Sequence, residues 1–237
     1  MSKFIIYNTP KPTTTTGKGI PAGDMRKLLK QSYTDGGLED IDDYKVDTEL
    51  SGQRVQVYQH EPTKKAVVVH RGTKGSADVL TDLGLAVGYR GNRFDHGLKV
   101  QKEAEAKYGN VITLGHSLGA KIAEETAGKD SEIITLNKPT LPNEILFGRR
   151  LFGNQNQTDV KTRFDPVSVL KLSGKRDIVI PSKTRNPIRE HSTDVLGRLD
   201  STQIIGKKTE TETGFIIPSK TRKPIKVPSE RLIRLKL

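Results

Sequence analysis

Three short runs built almost wholly of apolar residues, AVVV at 66–69, VITL at 111–114 and EIITL at 132–136, limit what this chain can become. A strand that is apolar at successive rather than alternate positions buries both its faces, and such strands belong to a parallel sheet covered on two sides. Between the runs lie segments with helical spacing. In VQKEAEAKYG, Val100, Ala104 and Tyr108 share one face, and LGAKIAEETAGK follows VITL directly. RVQVYQH and VKTRFDPVSVL add further strand signals, and Ala77 to Leu85 reads as a short helix. The alternation predicts an α/β fold, a mostly parallel sheet with helices on both faces.

At 237 residues the chain supports one substantial core. Residues 25–200 are expected to form it. Residues 1–24 read as a short strand, FIIY, and a Thr/Pro/Gly-rich linker. Asp24 is placed to cap a helix in which Met25, Leu28, Leu29 and Tyr33 share a face, with Gly36 and Gly37 ending it. Residues 201–237 read as a basic tail. They hold nine Lys or Arg against three Glu, half of the chain's net charge of +12. Such an excess favours anionic partners: a membrane surface reached through the tail or, on charge alone, nucleic acid. The tail lacks the interleaved aromatics of a nucleic-acid platform.

A repeat links tail and domain. IVIPSKTRNPIR at 178–189 returns as FIIPSKTRKPIK at 215–226, either a duplicated strand and turn or a duplicated basic contact. The chain has no cysteine, which excludes disulfides and thiolate chemistry, and no histidine pair has metal-site spacing, so neither metal nor cofactor is expected. The first residues have too short an apolar run for a secretory signal, and no window is apolar enough to span a bilayer. A soluble or peripherally bound protein is expected, in a virion or host cytoplasm if a virus encodes it.

Residues 111–125, VITLGHSLGAKIAEE, pass from strand to glycine-flanked serine to helix. G-x-S-x-G means little alone. On a strand-to-helix turn it forms an elbow that presents the serine oxygen at the end of the sheet, the α/β-hydrolase arrangement. Serine becomes nucleophilic only beside a base oriented by an acid. In that arrangement the order is serine, acid, histidine, and of the histidines at 60, 70, 96, 116 and 191 only His191 follows Ser117. The acid belongs just past a strand's C-terminal end. Asp165 in VKTRFDP fits, and Asp177 in KRDIVIP is the alternative; Asp130 and Asp159 read as solvated loop charges. Two backbone donors must hold the oxyanion: Leu118 after the serine, and Thr73 in the RGT that follows AVVVH. His116 should point away from the nucleophile into the packing behind the elbow. His70 could contact substrate but reads better as a hydrogen-bonded structural residue, and His60 and His96 read as structural or solvated.

Together, RGT at 71–73, Asp78 with T-D-L at 81–83, His96–Gly97, GHSLG at 115–119 and Asp165 with Val167 resemble, in order, the class 3 lipases, fungal-lipase-like α/β-hydrolases, over about residues 53–200. The resemblance implies serine-dependent hydrolysis of lipid carboxylic esters, by a triacylglycerol lipase or a phospholipase of A1 type, with Ser117, Asp165 and His191 as triad and Thr73 and Leu118 as oxyanion hole. The chain departs from the pattern at His70 and Val79, where the family carries aromatics, and in a short segment between acid and histidine. The segment in the lid position, GLAVGYRGNRFD, has few large apolar residues, which suits anionic phospholipid or small soluble esters. The competing expectation is a noncatalytic basic protein that keeps the fold and contacts membrane or nucleic acid.

Overall fold

The computed structural model describes residues 19–36, 38–73, 91–139, 156–165, 168 and 177–206. The FIIY strand, the 77–85 helix with Asp78, Thr81, Asp82 and Leu83, most of the lid-position segment, Val167 and the second repeat copy lie outside them.

Among the described residues a seven-stranded sheet runs in sequence order from β2 (Tyr44–Val46) through β3 (Val55–His60), β4 (Ala66–His70), β5 (Ile112–His116), β6 (Glu132–Leu136) and β7 (Gln157–Thr162) to β8 (Ile178–Ile180). β2, β3 and β4 pair antiparallel. From β4 to β8 every pairing is parallel. A small antiparallel pair joins β1 (Ile20–Pro21) to β9 (Ile204–Ile205). The mostly parallel sheet read from the apolar runs is therefore present, with an antiparallel edge.

Alternation sorts the strand residues to two faces. Val67, Val69, Ile112, Leu114, Ile134 and Leu136 pack with Met25, Leu28 and Leu29 of α1 (Ala22–Gln31) and with Val195 and Leu196 of a 3-10 turn at Thr193–Arg198. On the opposite face, Val55, Val57, Ala66 and Val68 pack with Val100 and Ala104 of α2 (Asn92–Tyr108). α3 (Leu118–Thr126) packs beside α2. Helices thus cover both faces, which is why the central strands tolerate unbroken apolar runs.

Three expectations are corrected. Asp24 does not cap α1; the helix begins at Ala22 after Pro21, and Asp24 sits in its first turn, accepting from Tyr44 Oη at 3.2 Å. α2 begins eight residues before Val100. Its start is obscured by Gly97, whose missing Cβ lets α2 approach α3: a Cβ there would lie 2.8 Å from Ile122 Cγ2. Asp159 is no loop charge. It lies buried in β7, accepting from Thr135 Oγ1 and from Gln157 Nε2. The strand QTDVKT is buried along its length although five of its six residues are polar, because neighbouring side chains satisfy them.

Candidate active site

The site gathers at the C-terminal ends of β4 to β7. β5 ends at His116 and α3 begins at Leu118, so Ser117 alone makes the turn, with φ of 55° and ψ of -131°. This left-handed conformation is costly for a residue with a Cβ and persists only where the surroundings enforce it. Enforcement comes from the Ser117 N–H donating to Leu136 O at 3.0 Å and from the two glycines of the motif. A Cβ on Gly119 would run into the His70 carbonyl, and one on Gly115 into the backbone of Gly119. The first turn of α3 can therefore ride directly on the ends of β4 and β5.

Over this elbow passes the loop Arg71–Thr73. A Cβ on Gly72 would stand 2.9 Å from Ser117 Cβ, so the loop places Thr73 next to a backbone that touches the serine. Arg93, near the start of α2, fixes the loop by donating from Nη2 to the carbonyls of Arg71 at 2.6 Å and Gly72 at 3.3 Å. Leu118, the first residue of α3, carries an amide with no acceptor inside the helix.

Asp165 follows β7 by three residues and has a fully buried side chain. Its Oδ2 accepts from Ser168 N at 2.8 Å, and its Oδ1 lies 2.6 Å from His191 Nδ1 at the end of α4 (Pro187–His191). A carboxylate only accepts, so Nδ1 carries a proton, and the lone pair of the neutral ring would fall on Nε2. Asp177, the alternative acid, instead pairs with Lys161 at 3.6 Å. Among the described residues, neither Ser117 Oγ nor His191 Nε2 has a hydrogen-bond partner, although both are buried. Six other buried side-chain atoms among the described residues share that state, and what sets these two apart is their place, one on the strained elbow and one on the ring held by Asp165.

Sequence reasoning missed what braces these residues. His116 Nε2 donates to the His191 carbonyl at 2.7 Å, so its Nδ1 accepts from Tyr33 Oη, also at 2.7 Å. Tyr33 Oη in turn accepts from Gly72 N at 2.9 Å. One chain of hydrogen bonds therefore joins the loop over Ser117 to the backbone of His191. Burial depresses the imidazole of His116 to about 3, with the nearby His191 ring adding to the effect, and raises the Tyr33 phenol to about 12, against the Gly72 amide. Both stay neutral near neutral pH.

The turn before His191 is braced as well. The Glu190 carbonyl accepts from Asn137 Nδ2 at 3.0 Å and Thr162 Oγ1 at 2.7 Å. The Glu190 carboxylate, fully buried, meets Arg198 through Nη1 to Oε2 at 2.6 Å and Nη2 to Oε1 at 3.0 Å, and Oε1 accepts from the amides of Lys183 and Thr184. The first repeat copy thus comprises β8, a loop wrapped on a carboxylate, and the start of α4. One signal was available: Val227 occupies the corresponding position in the second copy. Behind the elbow, Glu124 of α3 is held by Lys121 at 2.8 Å and by Lys138. Burial alone would raise its carboxyl, but the ammonium groups of Lys138 and Lys121 bring it to about 2.

His70 is buried between Gly97 and Thr126 and, through burial, has its imidazole lowered to about 4. His60 bonds Thr63 at the end of β3. Among the described residues no cluster of His, Asp and Glu could hold a metal ion, and no helix is long and apolar enough to cross a membrane.

A family model described as phospholipase-like, the Tle-like phospholipase domain, matches residues 6–168. The match contains Thr73, Ser117, Leu118 and Asp165 and stops before His191. Among solved structures, the chain is similar to the Lip2 lipase from Yarrowia lipolytica, with 16% identity and a TM-score of 0.42 over 66% of this chain and 78% of that one. A triacylglycerol lipase from Penicillium expansum gives 17% identity and a TM-score of 0.41 over 67% and 76%. No curated protein matches in sequence.

Proposed function

Since the chain belongs to the phospholipase-like family of Tle-like phospholipase domains, we propose that it is a serine hydrolase that cleaves carboxylic esters of lipids, with phospholipid acyl esters as the preferred class. In this reading Ser117 is the nucleophile, His191 the base and Asp165 the acid that orients it. The amides of Thr73 and Leu118 receive the oxyanion.

One observation carries the reading. At a strained strand-to-helix elbow stands a serine whose buried oxygen has no partner among the described residues, and His191, its Nδ1 held by Asp165, has an equally unpartnered Nε2. These are the two atoms a proton must pass between when serine attacks an ester. Ser117 Oγ adds to the ester carbonyl while Nε2 takes its proton, and the charge on the carbonyl oxygen falls to the two amides. Collapse expels the alcohol, which leaves with the proton from Nε2. Water, deprotonated by the same nitrogen, then releases the fatty acid and restores Ser117.

The test is labelling with a fluorophosphonate probe, wild type beside Ser117→Ala, followed by product analysis on phospholipid vesicles. Wild type should label, and Ser117→Ala should not. Turnover in the variant should fall by several powers of ten while its melting temperature holds. An unlabelled but folded wild type would instead leave a noncatalytic basic protein that contacts membrane or nucleic acid.

A further inference from the structure

The proposed mechanism leaves the first repeat copy unexplained beyond its grip on Glu190. Around that grip the surface has an unusual composition. Phe164 is 57% exposed and Ile188 51% exposed, two of the few large apolar side chains so open among the described residues. Interleaved with them in sequence are Arg163, Lys183, Arg185 and Arg189, all exposed. None of these four side chains makes an ion pair or hydrogen bond among the described residues, whereas the nearby carboxylates of Asp165 and Glu190 are buried and engaged with His191 and Arg198.

These residues form one ribbon. Phe164 N donates to Ser182 Oγ at 3.0 Å, the Lys183 and Thr184 amides donate to Glu190, and the ribbon ends on the Asp165–His191 pair. Unpaired cations beside exposed apolar side chains are the composition of an interfacial surface, where charge meets lipid headgroups and the apolar groups enter the acyl boundary. A nucleic acid would satisfy the cations but give Ile188 nothing, since stacking needs a π-face. We propose that Arg163, Phe164, Lys183, Arg185, Ile188 and Arg189 form the face that docks this protein on an anionic phospholipid bilayer, setting the Asp165–His191 side of the site against the membrane. The inference rests on the lipid-ester reading for the identity of that surface. The same spacing returns in sequence at Lys220, Arg222, Ile225 and Lys226, so the test must separate domain from tail.

The experiment is sedimentation of the full-length Ser117→Ala chain with vesicles of equal parts phosphatidylglycerol and phosphatidylcholine, and with pure phosphatidylcholine, at low and high salt. The parent should bind the anionic vesicles at low salt and release them at high salt. Each cation removed should lower partitioning about fivefold, so Lys183→Gln with Arg185→Gln and Arg189→Gln should lower it about a hundredfold. Phe164→Ser with Ile188→Ser should weaken binding and make the remainder more salt-sensitive. Single Arg185→Gln and Phe164→Ser variants, both at exposed positions, serve if a combined variant fails to fold. The proposal is overturned if these variants bind like the parent, if only removal of residues 207–237 abolishes binding, or if the parent prefers a duplex oligonucleotide to the vesicles. Vesicle binding that tracks the ribbon in a chain whose wild type resists fluorophosphonate would sink the hydrolase reading alone. Labelling without such binding would sink the docking surface alone.

Discussion

Glu190→Gln isolates the brace behind His191 with little change of volume. In the native turn the Arg198 fork is the largest influence on Glu190; opposed by burial and helped by the Thr184 amide, it takes the carboxyl from 4.5 to about 2. That displacement corresponds to about 3 kcal/mol at neutral pH. A second route gives a similar figure. Removing one member of a buried ion pair costs about 3–5 kcal/mol. Here the Arg198 side chain keeps 14% exposure, and glutamine still offers the amides an acceptor, so the lower end applies. The variant should lose about 3 kcal/mol.

The pH dependence follows from the direction of the shift. Because the folded carboxyl is depressed, its contribution is complete above the unfolded value near 4.5 and is lost as pH falls through that range toward 2. Glutamine cannot titrate. The gap between wild type and variant should be full at pH 7 and should close on acidification, even as other carboxylates weaken both proteins. Urea melts followed by far-UV circular dichroism suit a chain with no tryptophan. A gap below about 0.5 kcal/mol at neutral pH, or one that does not change with pH, would refute the reasoning.

Tyr33→Phe removes the hydroxyl that links Gly72 N to His116 Nδ1 and leaves both without that partner. It should cost about 1–3 kcal/mol of stability and, under the proposed function, lower kcat about tenfold or more with little change in KM. A pure KM effect on a soluble p-nitrophenyl ester would contradict the bracing role. Gly119→Ala drives a methyl group into the His70 carbonyl and the Arg71 backbone. Backbone cannot yield as a flexible side chain can, so the variant should be insoluble or melt far below wild type; a melting temperature within a few degrees would refute that packing.

The fold was legible where burial was two-sided. AVVV, VITL and EIITL could hardly be anything but central strands, and β4, β5 and β6 lie there. β7 was harder because QTDVKT hides its burial behind polar side chains that bond one another and the neighbouring strand. Only the partner strand reveals that Asp159 has somewhere to put its charge. The start of α2 was hidden for a different reason. Gly97 reads locally as a breaker but is demanded by close approach to α3, and no pattern within one helix reports its distance to another.

In the site, legibility followed chemical necessity. A serine nucleophile needs a particular turn, and that turn needs glycine on either side, so GHSLG carries its geometry in its letters. Chain order narrowed the candidate base to His191, position past a strand end favoured Asp165 over Asp177 as the candidate acid, and Asp165 is the one of the two that lies 2.6 Å from His191. The bracing residues obey no such rule. Tyr33 reaches His116 across 83 positions, and any donor that fits there would hold Gly72 and His116 equally well. Asn137, Thr162 and Arg198 are interchangeable in principle with other groups that can satisfy a buried carbonyl or carboxylate. A reaction fixes the identity of the atoms that take part in it but fixes only the position of those that hold them. One sequence records identity at every residue and position only through the fold.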